Sequence, residues 1–212
     1  MTDAPTRATV AGRTYLALRR KARAEGRGTE ELLQLAALEA FVDRLSESVR
    51  ARDLVLKGGV LRAAYDARRP TKDVDLSARN VPNEPSAVAR LVEEILEIHR
   101  EDGWQFGSAK AEVIRTHDRY SSVRVNVPCT LATANLAFHV DVNVGDVVSP
   151  PPIDILVPRL SGGEIRTRGY PLSMIIAEKV VTMVERGLGN TRWRDQLGGK
   201  SMDILGPQAK AD

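Results

Sequence analysis

Hydrophobic positions along this chain recur with two periods, about 3.6 residues toward the ends and 2 through the middle, and the alternation of the two predicts where helices and strands fall. Residues 13 to 25 read as a short basic helix stopped by Gly26-Arg27-Gly28. Thr29 then offers an N-cap, Glu30 and Glu31 suit the first turn of a second helix, and Leu35, Leu38, Val42, Leu45 and Val49 recur at spacings of 3, 4, 3 and 4. After a polar loop from Asn80 to Pro85, residues 86 to 101 repeat the helical pattern through Val88, Leu91, Val92, Ile95 and Ile98. Tyr170-Pro171 places proline at a helix start, and Leu172, Ile176, Val180, Met183 and Val184 form the stripe expected to be buried behind it.

Between these helices the period shortens. Leu54 to Leu56 is a short apolar run ending at Lys57, and strands are expected near Asp73 to Leu76, Ala111 to Arg115, Ser122 to Val127 and Leu136 to Val144. Pro150-Pro151-Pro152 marks a rigid turn before a further run from Ile153 to Val157. No internal repeat is visible. The order predicts an α/β (α+β) protein with one mixed sheet backed by helices. Three regions follow from it: a basic arm and helix over residues 1–50, a core over 51–160, and a helical C-terminal lobe over 161–212.

The chemistry concentrates in LVLKGGVLRAAYDARRPTKDVDL, residues 54 to 76. In a strand, Asp73 and Asp75 share one face while Val74 and Leu76 point to the other. Two carboxylates so close raise one another's pKa unless a cation intervenes, and a hard divalent ion such as Mg2+ or Mn2+ suits oxygen donors. The Gly58-Gly59 pair lets the backbone turn sharply beside a ligand and present N–H groups to an anion, with Arg62 one turn further on. A third acid stands in FHVDVNV, residues 138 to 144, where Phe138, Val140, Val142 and Val144 form one face and His139, Asp141 and Asn143 the other. Asp73, Asp75 and Asp141 together would make a set able to hold two metal ions and activate a hydroxyl.

These residues resemble the DNA polymerase β type of nucleotidyltransferase. KGGVLRAAYDARRPTKDVDL followed by IAEKVVTMVERGLGNTRWRD is similar, more narrowly, to the AbiEii/AbiGii toxin group with its MenT branch, over about residues 29 to 195. The resemblance implies a minimal nucleotidyltransferase fold and transfer of a nucleotide, in the MenT branch a pyrimidine nucleotide, from an NTP to the 3′ acceptor end of tRNA, which blocks translation. It implies Asp73 and Asp75 as metal ligands, Lys179 as a phosphate contact and Asp195 as a further catalytic acid, with a cognate antitoxin as partner. Lys57, Gly58, Gly59 and Arg62 would join Lys179 around the triphosphate. After Asp195 the pattern departs from the group: QLGGKSMDILGPQAKAD is Gly-rich and weakly periodic where relatives continue into helix.

Composition narrows the setting. Residues 1 to 28 carry a charge of +5 within a chain whose total is +3, so Arg13, Arg19, Arg20, Lys21, Arg23 and Arg27 gather the basic character in one arm. Together with Arg192 and Arg194, such an arm can meet RNA phosphates without reading sequence. Aromatic residues make up 4% of the chain, too few for wide base-stacking platforms. The single Cys129 excludes an internal disulfide, and His99, His117 and His139 show no metal-ligand spacing. No apolar run exceeds four residues, so neither a membrane span nor a secretory segment is expected, and the reading is a cytoplasmic protein. Two alternatives stay open: the same chemistry on an antibiotic hydroxyl or a protein side chain, and a catalytically inactive module that binds RNA or an antitoxin.

Overall fold

A computed structural model of the protein describes residues 5–65, 70–114, 122–145 and 148–186, the last five by their backbone. The chain forms two compact units, Met1–Pro171 and Leu172–Asp212.

The first unit is built on an eight-stranded mixed sheet. Its strands are β1 (Leu54–Lys57), β2 (Asp73–Ala78), β3 (Gln105–Phe106), β4 (Lys110–Ile114), β5 (Ser122–Leu131), β6 (Ala134–Val144), β7 (Ile153–Pro158) and β8 (Glu164–Gly169). They lie in the order β3-β5-β6-β2-β1-β8-β7, with β4 also paired to β5. The β2/β6 and β1/β8 pairs run parallel and the others antiparallel. The strands β2, β4, β5 and β6 fall where strands are expected, and β1 and β7 where the short apolar runs lie. Strands β3 and β8 lie outside those runs: β3 has two residues, and EIRTRG carries alternate charges that a hydrophobic count passes over.

Helices α1 (Val10–Ala24), α2 (Thr29–Glu47) and α4 (Pro85–Leu96) belong to the same unit, with a single turn α3 (Gly58–Leu61) after β1. The buried face of α2 is broader than the predicted stripe and includes Leu32, Leu33, Leu38, Phe41, Val42 and Leu45. Phe41 packs on Phe138 of β6 with ring centroids 5.9 Å apart, and Gln34 donates to the Ala137 carbonyl at 3.1 Å. Each fully buried aliphatic or aromatic side chain of this kind contributes about 1.5–3 kcal/mol. Two helix details differ from expectation. Gly28 is the N-cap, in extended conformation, and Thr29 the first helical residue, without a side-chain cap bond, because the left-handed Gly26 already turns the chain out of α1. Val49 is 92% exposed, since α2 ends at Glu47 and the chain turns away from the core there.

Beneath this layer Arg44 is 3% exposed and donates to both oxygens of Asp102, at 2.7 and 3.1 Å, while its guanidinium lies 4.8 Å from the centre of the Phe106 ring. Thr14 of α1 donates to the Asp102 carbonyl at 3.0 Å. A buried charge thus joins α1, α2 and the turn into β3.

In the second unit, α5 (Leu172–Arg186) begins directly after Pro171. Leu172, Ile176 and Val180 are about half exposed and Ile175 is buried in their place, which corrects the expected stripe. Periodicity identifies an apolar face, but burial requires a surface packed against it. Met183 and Val184 lie beyond the described side chains. No helix among the described residues is long and apolar enough to cross a membrane.

Candidate active site

Sheet register assembles the site. Antiparallel pairing sets Lys57 opposite Asp75, parallel pairing sets Asp75 opposite Asp141, and antiparallel pairing sets Asp141 opposite Arg124. One row therefore crosses β1, β2, β6 and β5 with the charges plus, minus, minus, plus. In the next row Asp73 faces His139, whose Nδ1 lies 3.0 Å from Asp73 Oδ1. Val74, Leu76, Val140 and Val142 are fully buried on the opposite face, so the hydrophobic pattern of β2 and β6 holds every acid on the polar side.

The glycine turn presses on Asp75. Gly58 has φ of +65°, a left-handed conformation that favours glycine, and a side chain there would collide with the Asp75 carboxylate. The Gly59 N–H donates to Asp75 Oδ2 at 3.4 Å, so within the chain this donor serves the acid. A β-carbon on Gly59 would lie 2.8 Å from the Thr71 hydroxyl, which accepts from the Asp73 N–H at 3.3 Å. Turn and acidic strand are thereby locked together.

Electrostatics distinguish the acids. Burial pushes the Asp75 carboxyl up to about 6, the charge of Asp141 adds to this, and the Gly59 N–H and Lys57 oppose it. Asp141 is compensated differently: Arg124 donates through Nε and Nη2 to its two oxygens at 2.8 and 2.7 Å. That bidentate bond raises the Arg124 pKa above the ordinary arginine value, so its charge is permanent. Arg124 Nη2 also lies 4.0 Å from Asp73 Oδ1.

Asp73 and Asp75 are hard oxygen donors on one face of β2, with Asp141 beside Asp75 on β6. This pair suits a divalent cation. Among the described residues no group of three or more His, Cys, Asp or Glu side chains is set to hold a metal ion. At the inner end of the same face, Ser122 donates to Asn143 at 3.1 Å, and Ser77 is fully buried with its hydroxyl unpartnered among the described residues. At the outer end, a cavity of about 700 Å3 lies beside Asp73, lined by Gly28, Glu30, Glu31, Gln34, Thr71 and Lys72 among others.

Of the residues singled out from sequence, Lys57, Gly58, Gly59, Asp73, Asp75 and Asp141 come together here. Arg62 is half-buried in the 3-10 turn Arg62–Tyr65 that follows α3. Lys179 lies on α5 in the second unit, and Arg192, Arg194 and Asp195 lie outside the described residues, as does His117. In the basic arm, Lys21 pairs with Glu25 at 2.9 Å and Arg27 with Glu31 at 2.7 Å, whereas Arg20 and Arg23 stand exposed. Sequence reasoning passes over Arg124. The signal is nevertheless present: residues 122 to 127 alternate Ser, Val, Arg, Val, Asn, Val, and a two-residue turn at Ala132-Thr133 pairs Arg124 with Asp141. Ala132 makes that turn at φ +52° without glycine or asparagine, so no familiar hairpin sequence announces it.

A family model described as the nucleotidyl transferase AbiEii toxin of type IV toxin–antitoxin systems matches residues 40–196. Among solved structures, the chain resembles JHP933 from Helicobacter pylori at 16% identity and a TM-score of 0.49, over 80% of this chain and 64% of that one. It also resembles a structure titled a putative nucleotidyltransferase from H. pylori, at 16% identity and a TM-score of 0.47, over 72% of this chain and 59% of that one. The chain thus spans about three fifths of the length of each. No curated protein matches it.

Proposed function

The chain belongs to the AbiEii family of nucleotidyl transferase toxins, and from that premise we propose that it transfers a nucleotide, of pyrimidine type, from an NTP to the 3′ end of tRNA and so blocks translation in the cytoplasm. The observation that carries this reading is the row in which Asp75 stands between Lys57 and Asp141, with the glycine turn closed on it. In the reaction the RNA 3′-hydroxyl attacks the α-phosphorus, a new P–O bond forms as the bond to the β-phosphate breaks, and pyrophosphate leaves with the electron pair.

Asp73 and Asp75 would hold a divalent cation, Mg2+ or Mn2+, which supplies charge neutralisation on the phosphates and lowers the pKa of a nearby hydroxyl. Lys57 and Arg62 would bind the triphosphate as cations, and Lys179 keeps the phosphate contact that the family resemblance implies. The proton of the attacking hydroxyl passes to solvent, while the Gly59 N–H holds Asp75 in place through Oδ2. The exposed Arg20 and Arg23, with Arg19 beside them, would meet RNA phosphates along α1, with Arg192 or Arg194 at the acceptor stem, and Asp195 keeps the acidic role that the family resemblance implies. An antitoxin partner follows from the family's description.

A second reading has one observation in its favour. The cavity beside Asp73 carries Glu30 and Glu31 against Lys72, and an acidic lining suits a cationic acceptor such as an aminoglycoside hydroxyl. Incubating the protein with total tRNA, an aminoglycoside and each labelled NTP in Mg2+ separates the readings. Label in tRNA supports the first, label in the small molecule the second, and no label with any NTP removes both in favour of a non-catalytic binding module.

A further inference from the structure

Resting on the reading of Asp73 and Asp75 as the cation-holding pair, we infer that Arg124 stands where a second metal ion would stand, so that the site takes one divalent cation and Asp141 is reserved for the arginine. The guanidinium meets both Asp141 oxygens at 2.8 and 2.7 Å and reaches to 4.0 Å from Asp73 Oδ1. It thus pairs with the acid of β6 and approaches that of β2, leaving neither Asp141 oxygen without a cationic partner. A bidentate arginine–carboxylate pair is the strong form of the interaction, with geometry set by the planar fork.

Placement makes this counter-ion durable. Arg124 is anchored on β5 directly opposite Asp141, within a strand pairing that runs ten residues from Ser122 to Leu131, rather than on a loop. The Asp141 side chain is 15% exposed and that of Arg124 31%, so admitting an ion to Asp141 would leave a part-buried guanidinium without its partner. Charge points the same way. Among the described residues, the acids Asp73, Asp75 and Asp141 share their rows with the cations Lys57 and Arg124, so one divalent ion offsets most of the negative charge and leaves the face ready for a polyphosphate. A second ion would add repulsion between like charges, and among the described residues no further group of acids is set to hold it.

The test counts ions rather than turnover. Mn2+ is titrated into the full chain, alone and with a non-hydrolysable NTP analogue, and bound ion is read from the loss of the free-Mn2+ EPR signal. The wild type should bind one ion, Asp75→Asn should lose it, and Asp141→Asn should leave the count unchanged. Arg124→Met should gain a second ion, and the double variant Arg124→Met/Asp141→Asn should lose that gain. A wild type that binds two ions, loses one in Asp141→Asn, or binds none overturns the inference, as does an Arg124→Met variant that stays at one. Should Arg124→Met fail to fold, the Asp141→Asn count decides alone, since that variant keeps the arginine. Failure of the transferase reading shows separately, as absence of labelled product from a wild type whose ion count is still one.

Discussion

Asp75 and Asp141 lie opposite one another on parallel strands, yet they are compensated differently: Asp141 has Arg124 on both oxygens, while Asp75 has a long bond from the Gly59 N–H and the opposing charge of Lys57 across the β1/β2 pair. The consequence is an acid held ready for an added cation beside one that needs none.

The first prediction concerns pH. The folded pKa of Asp75 is raised to about 6 from an ordinary 3.8, so the folded state holds this proton more tightly than the unfolded state does. Its contribution to stability is fully present below pH 3.8 and is lost as pH rises through 6. Asp75→Asn should therefore gain stability relative to the wild type as pH rises from 4 to 7, by on the order of 1–3 kcal/mol, measured by urea denaturation across that range. Millimolar Mn2+ should reverse much of the difference at pH 7 by stabilising only the wild type. A stability difference independent of pH would show that Asp75 titrates normally.

Gly58→Ala combines a left-handed φ with a collision against the acid. It should destabilise the protein by about 1–3 kcal/mol and abolish nucleotidyl transfer, because the turn or Asp75 must move. Gly162, at φ +94° with open space around it, supplies the comparison. Gly162→Ala should show a stability loss alone, and equal activity loss in both variants would mean that the close approach at Gly58 is irrelevant to the reaction.

Arg44→Ala should be the most destabilising of these changes, at about 3–5 kcal/mol, because it strands Asp102 and opens a void beside Phe106. Activity per folded molecule should be retained, since Arg44 lies on the helical side of the sheet and takes no part in the acidic row. Thermal denaturation combined with active-fraction titration measures both quantities.

In the basic arm, removing Arg19, Arg20 and Arg23 should lower tRNA affinity and flatten its salt dependence by up to about 0.7–0.9 log units for each phosphate no longer neutralised. Lys21→Ala should have less effect, because Lys21 already pairs with Glu25. Titrations of tRNA at several salt concentrations read the slopes directly, and identical slopes for wild type and triple variant would remove α1 from the RNA surface.

Much of this protein follows from local pattern. Alternation places Asp73 and Asp75 on one face and Asp141 on the polar face of its own strand, because a pleated backbone sends successive side chains to opposite sides whatever they pair with. The helical faces of α2 and α4 follow from a 3.6-residue period, the Lys57-Gly58-Gly59 turn from its glycine pair, and the family resemblance joins the acids into one site without any knowledge of register. Tertiary structure decided what no local period contains. Register brought Asp141 beside Asp75 and Arg124 onto Asp141, since strand pairing depends on how distant segments align and, at Ala132-Thr133, on a turn without glycine. Packing turned Gly59 toward Asp75, buried Arg44 against Asp102, and left Leu172, Ile176 and Val180 exposed on a face that periodicity alone assigns to a core. Burial and the pairing of charges are properties of neighbours in space, and a sequence read one segment at a time names the residues but not those neighbours.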